Sequence, residues 1–441
     1  MKIQIFLKKL ETNNFIEVLR EFLPTRYQSE HDLNFLKIRQ GNSIYLFLMS
    51  FTLISMYFGK ILWRLLKQKK TKLAKNYKLL VYIPNTKYQR FYHNIFSETD
   101  KKSILVISDD LIDDGSITKN YFFDNKFSYM KKVLLPSYIF CLKISFKELR
   151  KIKTKEVAFS NILHLTAAVT QSFFLIYFSK QTKFNKIFSL HPNGDLHYLL
   201  RMVFKNEIHS IRPDTTSYSE EHRYIKSDYL YYKSNFEKDV YLSYNIDCTL
   251  IKAGYLYDCI YKPKALFGNK LNVLFIDTCT NINKESIEIR KKAVNDFYEI
   301  FVSKKNNINL NHKFHPGLLK EEKDSTVKLL ENTSVKILDT ISNFKKFDLV
   351  IGFYSTLYHD VLCSGVSFIE LTGEYNLYQD SKNPIYFAPI LKINNKNEYY
   401  IMLNKIEDDL KTIYNPEIWE WYYKTYNIPN GKKDLKSILL D

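Results

Sequence analysis

Cysteine is scarce in this chain. The 441 residues include only five cysteines, which are Cys141, Cys248, Cys259, Cys279 and Cys363. Because they are scattered, odd in number and without a CxxC pair, they argue against a disulfide framework or a zinc site and suit a reducing compartment. The N-terminus also lacks the pattern of a secretory signal peptide. Residues 1–42 mix charged and apolar positions and are predicted to form an amphipathic segment.

Acidic residues are fewer than basic ones, and the formal net charge is +18. This excess suits a nucleic acid, an anionic membrane surface or an anionic substrate. Since it is spread along the chain, part of it is also consistent with ordinary solvated faces. The sequence has no basic helix interleaved with aromatic residues, which disfavours nucleic acid. A hydrophobic content of 45% excludes a disordered chain, and the length predicts two α/β domains.

One uncharged apolar run lies near the N-terminus, from Ser43 to Phe58. A membrane span needs about 20 apolar residues, so the run is short. The segment 67–75 that follows contains five lysines and no acid, which is typical of a cytoplasmic flank. We therefore predict a membrane helix over 43–66, with the rest of the chain at the cytoplasmic face of the inner membrane. The alternatives are an in-plane interfacial helix and a buried helix of a globular domain.

Apolar runs alternate with amphipathic stretches from residue 76 onward. The strands predicted for the first half are 79–83, 103–107, 133–135 and 187–190, and a helix is predicted over 162–178. In the second half, predicted strands at 271–276, 308–314, 335–338, 348–352 and 366–369 alternate with predicted helices at 284–302, 318–330 and 356–363. Short links between them predict parallel, doubly wound sheets. We expect a Rossmann-like acceptor domain over 76–262, a nucleotide-sugar domain over 271–392, and a helical tail over 393–441 that crosses back.

Ligands of such sheets bind beyond the carboxyl ends of the strands, so residues that follow predicted strands are candidates for a site. Asp113-Asp114-Gly115 follows the strand 103–107, and a carboxylate there suits proton abstraction from a hydroxyl. The same triplet also suits a surface turn. His315-Pro316-Gly317 follows the strand 308–314, where the imidazole can donate to a phosphate. A second His-Pro, at His191, continues through Asn193-Gly194-Asp195 and has the composition of a turn.

Hydroxyl residues precede the predicted helix over 356–363. Tyr354, Ser355 and Thr356 lie between this helix and the strand 348–352. Free backbone N–H groups and hydroxyls at such a helix start suit an anion, although an ordinary N-cap accounts for the same residues. Asp339 and Glu370 directly follow two other predicted strands. Each suits the ribose hydroxyls of a nucleotide, and each also suits a helix cap or an exposed surface.

Taken in order, Asp113-Asp114-Gly115, His315-Pro316 and Ser355-Thr356 resemble the motifs of the bacterial sialyltransferases and polysialyltransferases of GT-B fold. Those enzymes have an acidic pair with glycine in the first domain, then His-Pro, then a Ser-Ser or Ser-Thr pair in the second. The resemblance covers residues 271–372 and, in the first half, one triplet. The segment 348–365 also resembles the donor half of the teichoic-acid polymer transferases.

The resemblance implies two Rossmann-like domains facing a cleft, with a CMP-sugar as donor and no metal or other cofactor. It implies that Asp113 or Asp114 is the general base, that His315 assists departure of CMP, and that Ser355 and Thr356 hold the phosphate. The expected function is inverting transfer of a sugar, sialic acid by this resemblance, to a glycan or glycolipid of the cell surface. The alternatives are a CDP-polyol phosphate or Kdo-type transferase, and a non-catalytic membrane-tethered protein that binds nucleotide-sugars.

Overall fold

The computed structural model describes most of the chain, with gaps. The described residues are 2–13, 15–23, 43–67, 74–84, 88–97, 99, 103–108, 126–151, 159–213, 220–256, 259, 262–263, 270–278, 284–302, 308–315, 317–331, 333–339, 341, 343–353, 357–377, 390–408, 415–428 and 430–441.

Two parallel six-stranded sheets organise these residues. The first sheet has the strand order β2-β1-β3-β4-β5-β6 and the second has the order β12-β11-β10-β7-β8-β9. The strands are β1 Asn76–Ile83, β2 Ile104–Ser108, β3 Lys183–Ser189, β4 Glu207–Ile211, β5 Tyr229–Tyr232, β6 Thr249–Lys252, β7 Leu271–Ile276, β8 Ile308–Lys313, β9 Lys336–Leu338, β10 Leu349–Gly352, β11 Ser367–Leu371 and β12 Leu391–Ile393. The prediction of two doubly wound parallel sheets is confirmed.

Helices cover both faces of both sheets. The α-helices are α1 Lys2–Thr12, α2 Phe15–Phe22, α3 Ser43–Lys67, α4 Gln89–Phe96, α5 Lys126–Tyr129, α6 Leu135–Lys151, α7 Phe159–Phe178, α8 Asp195–Val203, α9 Asn235–Ser243, α10 Lys284–Val302, α11 Lys320–Leu330, α12 Leu357–Cys363, α13 Lys396–Asp408, α14 Pro416–Tyr426 and α15 Gly431–Leu440. Neighbouring residues of one strand enter different cores. Leu80 packs with the layer of α3, α6 and α7, whereas Leu79 packs with α4 and α15. Burial on both faces explains why these strands are continuous apolar runs.

The apolar run near the N-terminus forms α3, close to its predicted bounds. Its residues Ile54 and Phe58 are buried in the same core as α6 and α7. Ser55 shares a hydrogen bond of 3.0 Å with the hydroxyl of Tyr138 on α6. Within the described residues, the structure contains no helix with the length and apolar character needed to cross a membrane.

One predicted strand is wrong. Residues 133–135 were expected to be extended, but they lie in continuous helix, where a π-helical turn over Met130–Leu134 joins α5 to α6. Val133 and Leu134 are buried in the first core, so the apolar character of the run is satisfied within a helix. Pro136 directly follows this π-helical turn, at the second residue of α6, and because it has no N–H it interrupts the backbone hydrogen bonds of the continuous helix at this point.

The final helices return to the first half of the molecule. Leu435 and Leu439 of α15 are buried in the core that contains β1 and α4. Gly254, which follows β6, lies against the end of α14 with a φ of +71°, and a Cβ there would lie 2.7 Å from the carbonyl oxygen of Tyr426. Glycine is therefore required at this contact between the segment after β6 and the end of α14.

The cysteines also depart from expectation. Cys259, between the two sheets, forms a disulfide with Cys363 at the end of α12, across 104 residues of sequence. The scattered spacing of the cysteines argued against such a bond. Spacing could not reveal the pair because only the return of the chain between the sheets brings these residues together.

Candidate functional site

The second sheet reverses its direction of growth between β7 and β10. The chain adds β8 and β9 on one side of β7 and then returns to place β10 on the other side. The carboxyl ends of such a strand pair flank an open crevice, where doubly wound sheets bind their ligands. A Cβ on Gly352, the last residue of β10, would lie 2.9 Å from the carbonyl oxygen of Ile276, so the two strand ends can approach closely only because this residue is glycine.

His315 lies two residues beyond β8, the neighbour of β7. The backbone N–H of Gly317 donates to its Nδ1 at 3.0 Å, so the neutral ring carries its proton on Nε2. His315 is exposed to solvent, but its partial burial lowers the pKa of the ring; the carboxylate of Asp277 opposes this effect and the charge of Lys313 adds to it. The ring is therefore neutral at pH 7 and presents Nε2–H as a donor.

A buried polar network fixes the strand ends beside His315. Asp277, directly after β7, accepts from Nε of Arg290 at 2.8 Å and lies 3.2 Å from Nε2 of His312 on β8. The hydroxyl of Tyr298 lies 2.7 Å from the other ring nitrogen of His312. Burial would raise the pKa of Asp277, but the hydrogen bonds from His312 and Arg290 outweigh it and lower the pKa. This carboxylate is ionised and hydrogen-bonded through both of its oxygens, so its role is to hold Arg290 and His312 in place.

Glu370 is a buried acid near the crevice whose carboxylate lacks hydrogen-bond partners among the described residues. It pairs in register with Gly352, and its residue is 1% exposed. Neither of its carboxylate oxygens has a hydrogen-bond partner in the part of the chain that the structure describes. Burial raises its pKa to about 7, with Lys392 opposing. A buried carboxylate without donors is costly, so it is a candidate to accept hydrogen bonds from the hydroxyls of a ligand.

The other residues predicted to bind the nucleotide-sugar fall into two groups. Asp339 and Gly317 are described and exposed, and Asp339 follows β9, at the edge of the sheet and two strands away from β7. Pro316, Tyr354, Ser355 and Thr356 lie outside the described residues, and α12 begins directly after them at Leu357. Of the two candidates for a ribose carboxylate, Glu370 therefore lies nearer the crevice.

The first sheet has its own point of reversal, between β1 and β3. The loop at the carboxyl end of β3 begins with His191 and enters α8 at Asp195. A Cβ on Gly194 would lie 2.4 Å from Nδ1 of His191 and 3.0 Å from the hydroxyl of Tyr82 on β1, so this loop packs tightly over the crevice. Asn193 is buried and Asp195 is half-buried. The predicted acids Asp113 and Asp114 lie outside the described residues.

The carboxyl ends of the first sheet approach the helix that follows β10. Lys233, directly after β5, is buried and donates to the carbonyl oxygen of Arg212 at 2.9 Å. It also lies near His359 of α12, whose pKa is lowered well below its usual range, first by burial and then by the charge of Lys233. Tyr255, which leaves the first sheet, stacks on His359 with ring centroids 4.7 Å apart. The two sets of strand ends therefore face a common cleft.

The loop after β3 is the feature that sequence reasoning missed. Its composition of histidine, proline, asparagine, glycine and aspartate predicts only a turn. The available signal was its place directly after a predicted strand and before a helix, the same rule that selected His315. The sequence does not show that β3 lies beside β1 at the point of reversal, and this position gives the loop its significance.

Comparisons with known proteins show the fold of the chain. No protein-family model and no curated protein matches the sequence. The structure of S. aureus MnaA with UDP is similar, with a TM-score of 0.52 and 13% identity over 81% of this chain and 94% of that one. A UDP-GlcNAc 2-epimerase from Methanocaldococcus jannaschii has a TM-score of 0.49 and 11% identity, with 82% and 99% covered. With two parallel sheets facing a cleft and a match along nearly the whole of MnaA, the chain has a GT-B-like fold.

Proposed function

We propose that the protein is a glycosyltransferase that binds a nucleotide-sugar at the carboxyl end of the second sheet. The observation that carries the proposal is the pairing of two groups near one crevice. Among the described residues Glu370 is a buried carboxylate that lacks hydrogen-bond donors, and His315 is a neutral ring that presents a donor. Ribose hydroxyls can donate hydrogen bonds to the carboxylate of Glu370, and a phosphate can accept a hydrogen bond from the ring of His315. One nucleotide satisfies both groups.

The donor we propose is a CMP-sugar, with sialic acid as the sugar, and the acceptor is a glycan or glycolipid of the cell surface. Support comes from the order of His315-Pro316 and Ser355-Thr356, which resembles the donor half of bacterial sialyltransferases. The likeness to MnaA with bound UDP favours a second candidate donor, a UDP-sugar, which the same two groups would also satisfy. The basic net charge suits either anionic donor.

The proposed reaction is an inverting displacement. A carboxylate of the first domain takes the proton of the acceptor hydroxyl, and the oxygen attacks the anomeric carbon from the face opposite the nucleotide. The bond from that carbon to the phosphate oxygen breaks, and the nucleotide leaves with the electron pair. The Nε2–H of His315 donates to the phosphate as negative charge develops on it.

There are two candidate positions for the catalytic base. Asp113 or Asp114 is the acid implied by the sialyltransferase resemblance. Asp195 is the alternative that the geometry favours, because it follows the central strand β3 at the reversal of the first sheet. A base at either place is expected to affect turnover rather than binding of the donor.

Release of CMP or UDP from a panel of nucleotide-sugars, with and without glycan acceptors, tests the proposal. We expect acceptor-dependent release with a cytidine donor for the wild type. Asp195→Asn, Asp113→Asn and Asp114→Asn are to be compared under the same conditions. The base is the residue whose substitution lowers kcat by about 10²–10⁴-fold with little change in the KM of the donor. Release that is independent of every acceptor and unaffected by all three substitutions would contradict the proposed transfer.

A further inference from the structure

The outer face of α3 is apolar, although the helix belongs to the core of the first domain. Ser50, Ile54 and Phe58 point inward and are buried, each four residues from the next. Leu48, Met56 and Trp63 are exposed and lie on the opposite side of the helix, Met56 with 67% of its surface in solvent. At 100° per residue these exposed positions form one stripe along the helix.

Helix α6 carries a second stripe of the same kind. Leu135, Ile139 and Phe146 are exposed at spacings of four and seven residues, Ile139 with 57% of its surface in solvent. Cys141 and Ile144 of the same helix are buried in the first core. The exposed positions therefore again lie opposite the buried face.

The two stripes lie on one side of the molecule. Helices α3 and α6 are neighbours, since Ser55 is hydrogen-bonded to Tyr138 and the ring of Phe58 meets that of Tyr138 edge-on at 5.2 Å between centroids. Both helices bury their inner faces in the same core, so their outer faces point in the same direction. Together the six exposed residues form an apolar surface, which we call the α3–α6 face.

Basic residues predominate around this face. Ser43–Lys67 and residues 130–151 contain nine lysines and arginines and a single acid, Glu148. Lys60, Lys131 and Lys132 are exposed. The side chain of Lys143, beside the stripe on α6, is 66% exposed and forms an ion pair of 2.7 Å with Glu11 of α1. The next eight residues after α3 contain four more lysines and no acid. Apolar side chains framed by lysines are complementary to acyl chains beneath anionic headgroups.

We propose that the α3–α6 face docks the protein on an anionic phospholipid surface, with both helices lying in the plane of the interface. The apolar stripes enter the boundary between headgroups and acyl chains, and the lysines pair with lipid phosphates. The excess of basic over acidic residues disfavours a protein partner, whose surface ordinarily carries both signs of charge. Docking at this face does not depend on the proposed transfer, because it needs neither the donor nor the cleft.

Flotation of the full-length protein with lipid vesicles tests this proposal. The vesicles are phosphatidylcholine alone or an equal mixture of phosphatidylcholine and phosphatidylglycerol. We expect binding to the anionic vesicles that weakens as salt is raised, and much weaker binding to the neutral ones. Met56→Glu and Ile139→Glu should each weaken the binding about tenfold, because each replaces apolar contact with a repelled charge.

Leu242→Glu is the matched control. Leu242 is 53% exposed, about as much as Ile139, but it lies on α9, outside the α3–α6 face. This variant should bind vesicles like the wild type, and equal melting temperatures would show that all variants are folded. Two results would overturn the proposal. One is unchanged vesicle binding by Ile139→Glu, and the other is a wild-type dimer, seen by light scattering, that Ile139→Glu separates.

Discussion

At the scale of single residues, His315 has the clearest chemical role. Its Nδ1 accepts from Gly317, and its pKa is lowered by partial burial, so a neutral ring presents Nε2–H, the donor that the proposed phosphate would accept. We expect His315→Ala to lower kcat/KM for the nucleotide-sugar by about 10²–10³-fold, the usual cost of losing one donor to developing charge. Steady-state kinetics measures this effect, and circular dichroism checks the fold.

His315→Gln is the matched variant, because its amide N–H can occupy nearly the same place as Nε2–H. It should recover part of the activity lost in His315→Ala. Since the pKa of His315 lies below its usual value, titration of this ring should not reduce wild-type activity between pH 7 and 8. Equal activity of His315→Ala and the wild type would remove this residue from the mechanism.

Glu370 connects the site to stability. An unfolded glutamate releases its proton near pH 4.5, whereas Glu370 in the folded protein releases it near pH 7. The folded state therefore binds the extra proton between these values, and stability falls as the pH rises through the window. Above pH 7 the buried charge costs on the order of 3 kcal/mol.

Replacing this carboxylate should therefore stabilise the unliganded protein. We expect Glu370→Gln to melt roughly 5 °C above the wild type at pH 8, with the difference vanishing near pH 4.5. Glu321→Gln, at an exposed position of α11, should leave the melting curve unchanged at both values. A Glu370→Gln variant less stable than the wild type at pH 8 would show that the carboxylate already has donors.

At the scale of elements, the loop from β3 to α8 is held by close packing at Gly194. A Cβ there would meet Nδ1 of His191 at 2.4 Å, so Gly194→Ala should displace the loop. We expect a loss of about 1–3 kcal/mol of stability together with a lower kcat. Urea unfolding and turnover of the nucleotide-sugar measure the two effects.

Gly59 provides the contrast. It lies within α3, and a Cβ there would meet nothing within 4 Å. Gly59→Ala should therefore stabilise the protein by about 0.5–1 kcal/mol, because alanine loses less backbone freedom in a helix. Similar stability of Gly194→Ala and the wild type would mean that the β3–α8 loop adjusts freely, and its proposed role in the cleft would lose support.

Much of the second sheet could be predicted from sequence. The strand Leu271–Ile276 and the helix Lys284–Val302 have the bounds that their apolar patterns indicate, because buried parallel strands and amphipathic helices differ in period. The strand predicted at 133–135 was wrong because three consecutive apolar residues are too few to distinguish the period of a strand from that of a helix. The loop at His191 and the Cys259–Cys363 pair were missed because strand order and chain return, which sequence does not encode locally, determine their positions.

At the scale of the whole molecule, two sheets meet through their carboxyl ends, and the tail ties them together. Lys233 of the first domain lies near His359 of the second, while α15 returns to pack on β1. The disulfide between Cys259 and Cys363 joins the connecting segment to α12. The crevice between β7 and β10 and the β3–α8 loop therefore both lie at the strand ends that face the cleft, an arrangement consistent with the proposed transfer.

The proposed function requires that the second domain bind a pyrimidine nucleotide through Glu370. A thermal-shift titration with CMP, CDP, UDP and GDP, on the wild type and on Glu370→Gln, tests it most directly. We predict that CMP raises the melting temperature of the wild type most strongly. Glu370→Gln should lose most of this rise, although it starts from a higher melting temperature at pH 8. If no nucleotide stabilises the wild type, or if the melting temperature of the variant rises as much as that of the wild type, Glu370 does not bind a nucleotide.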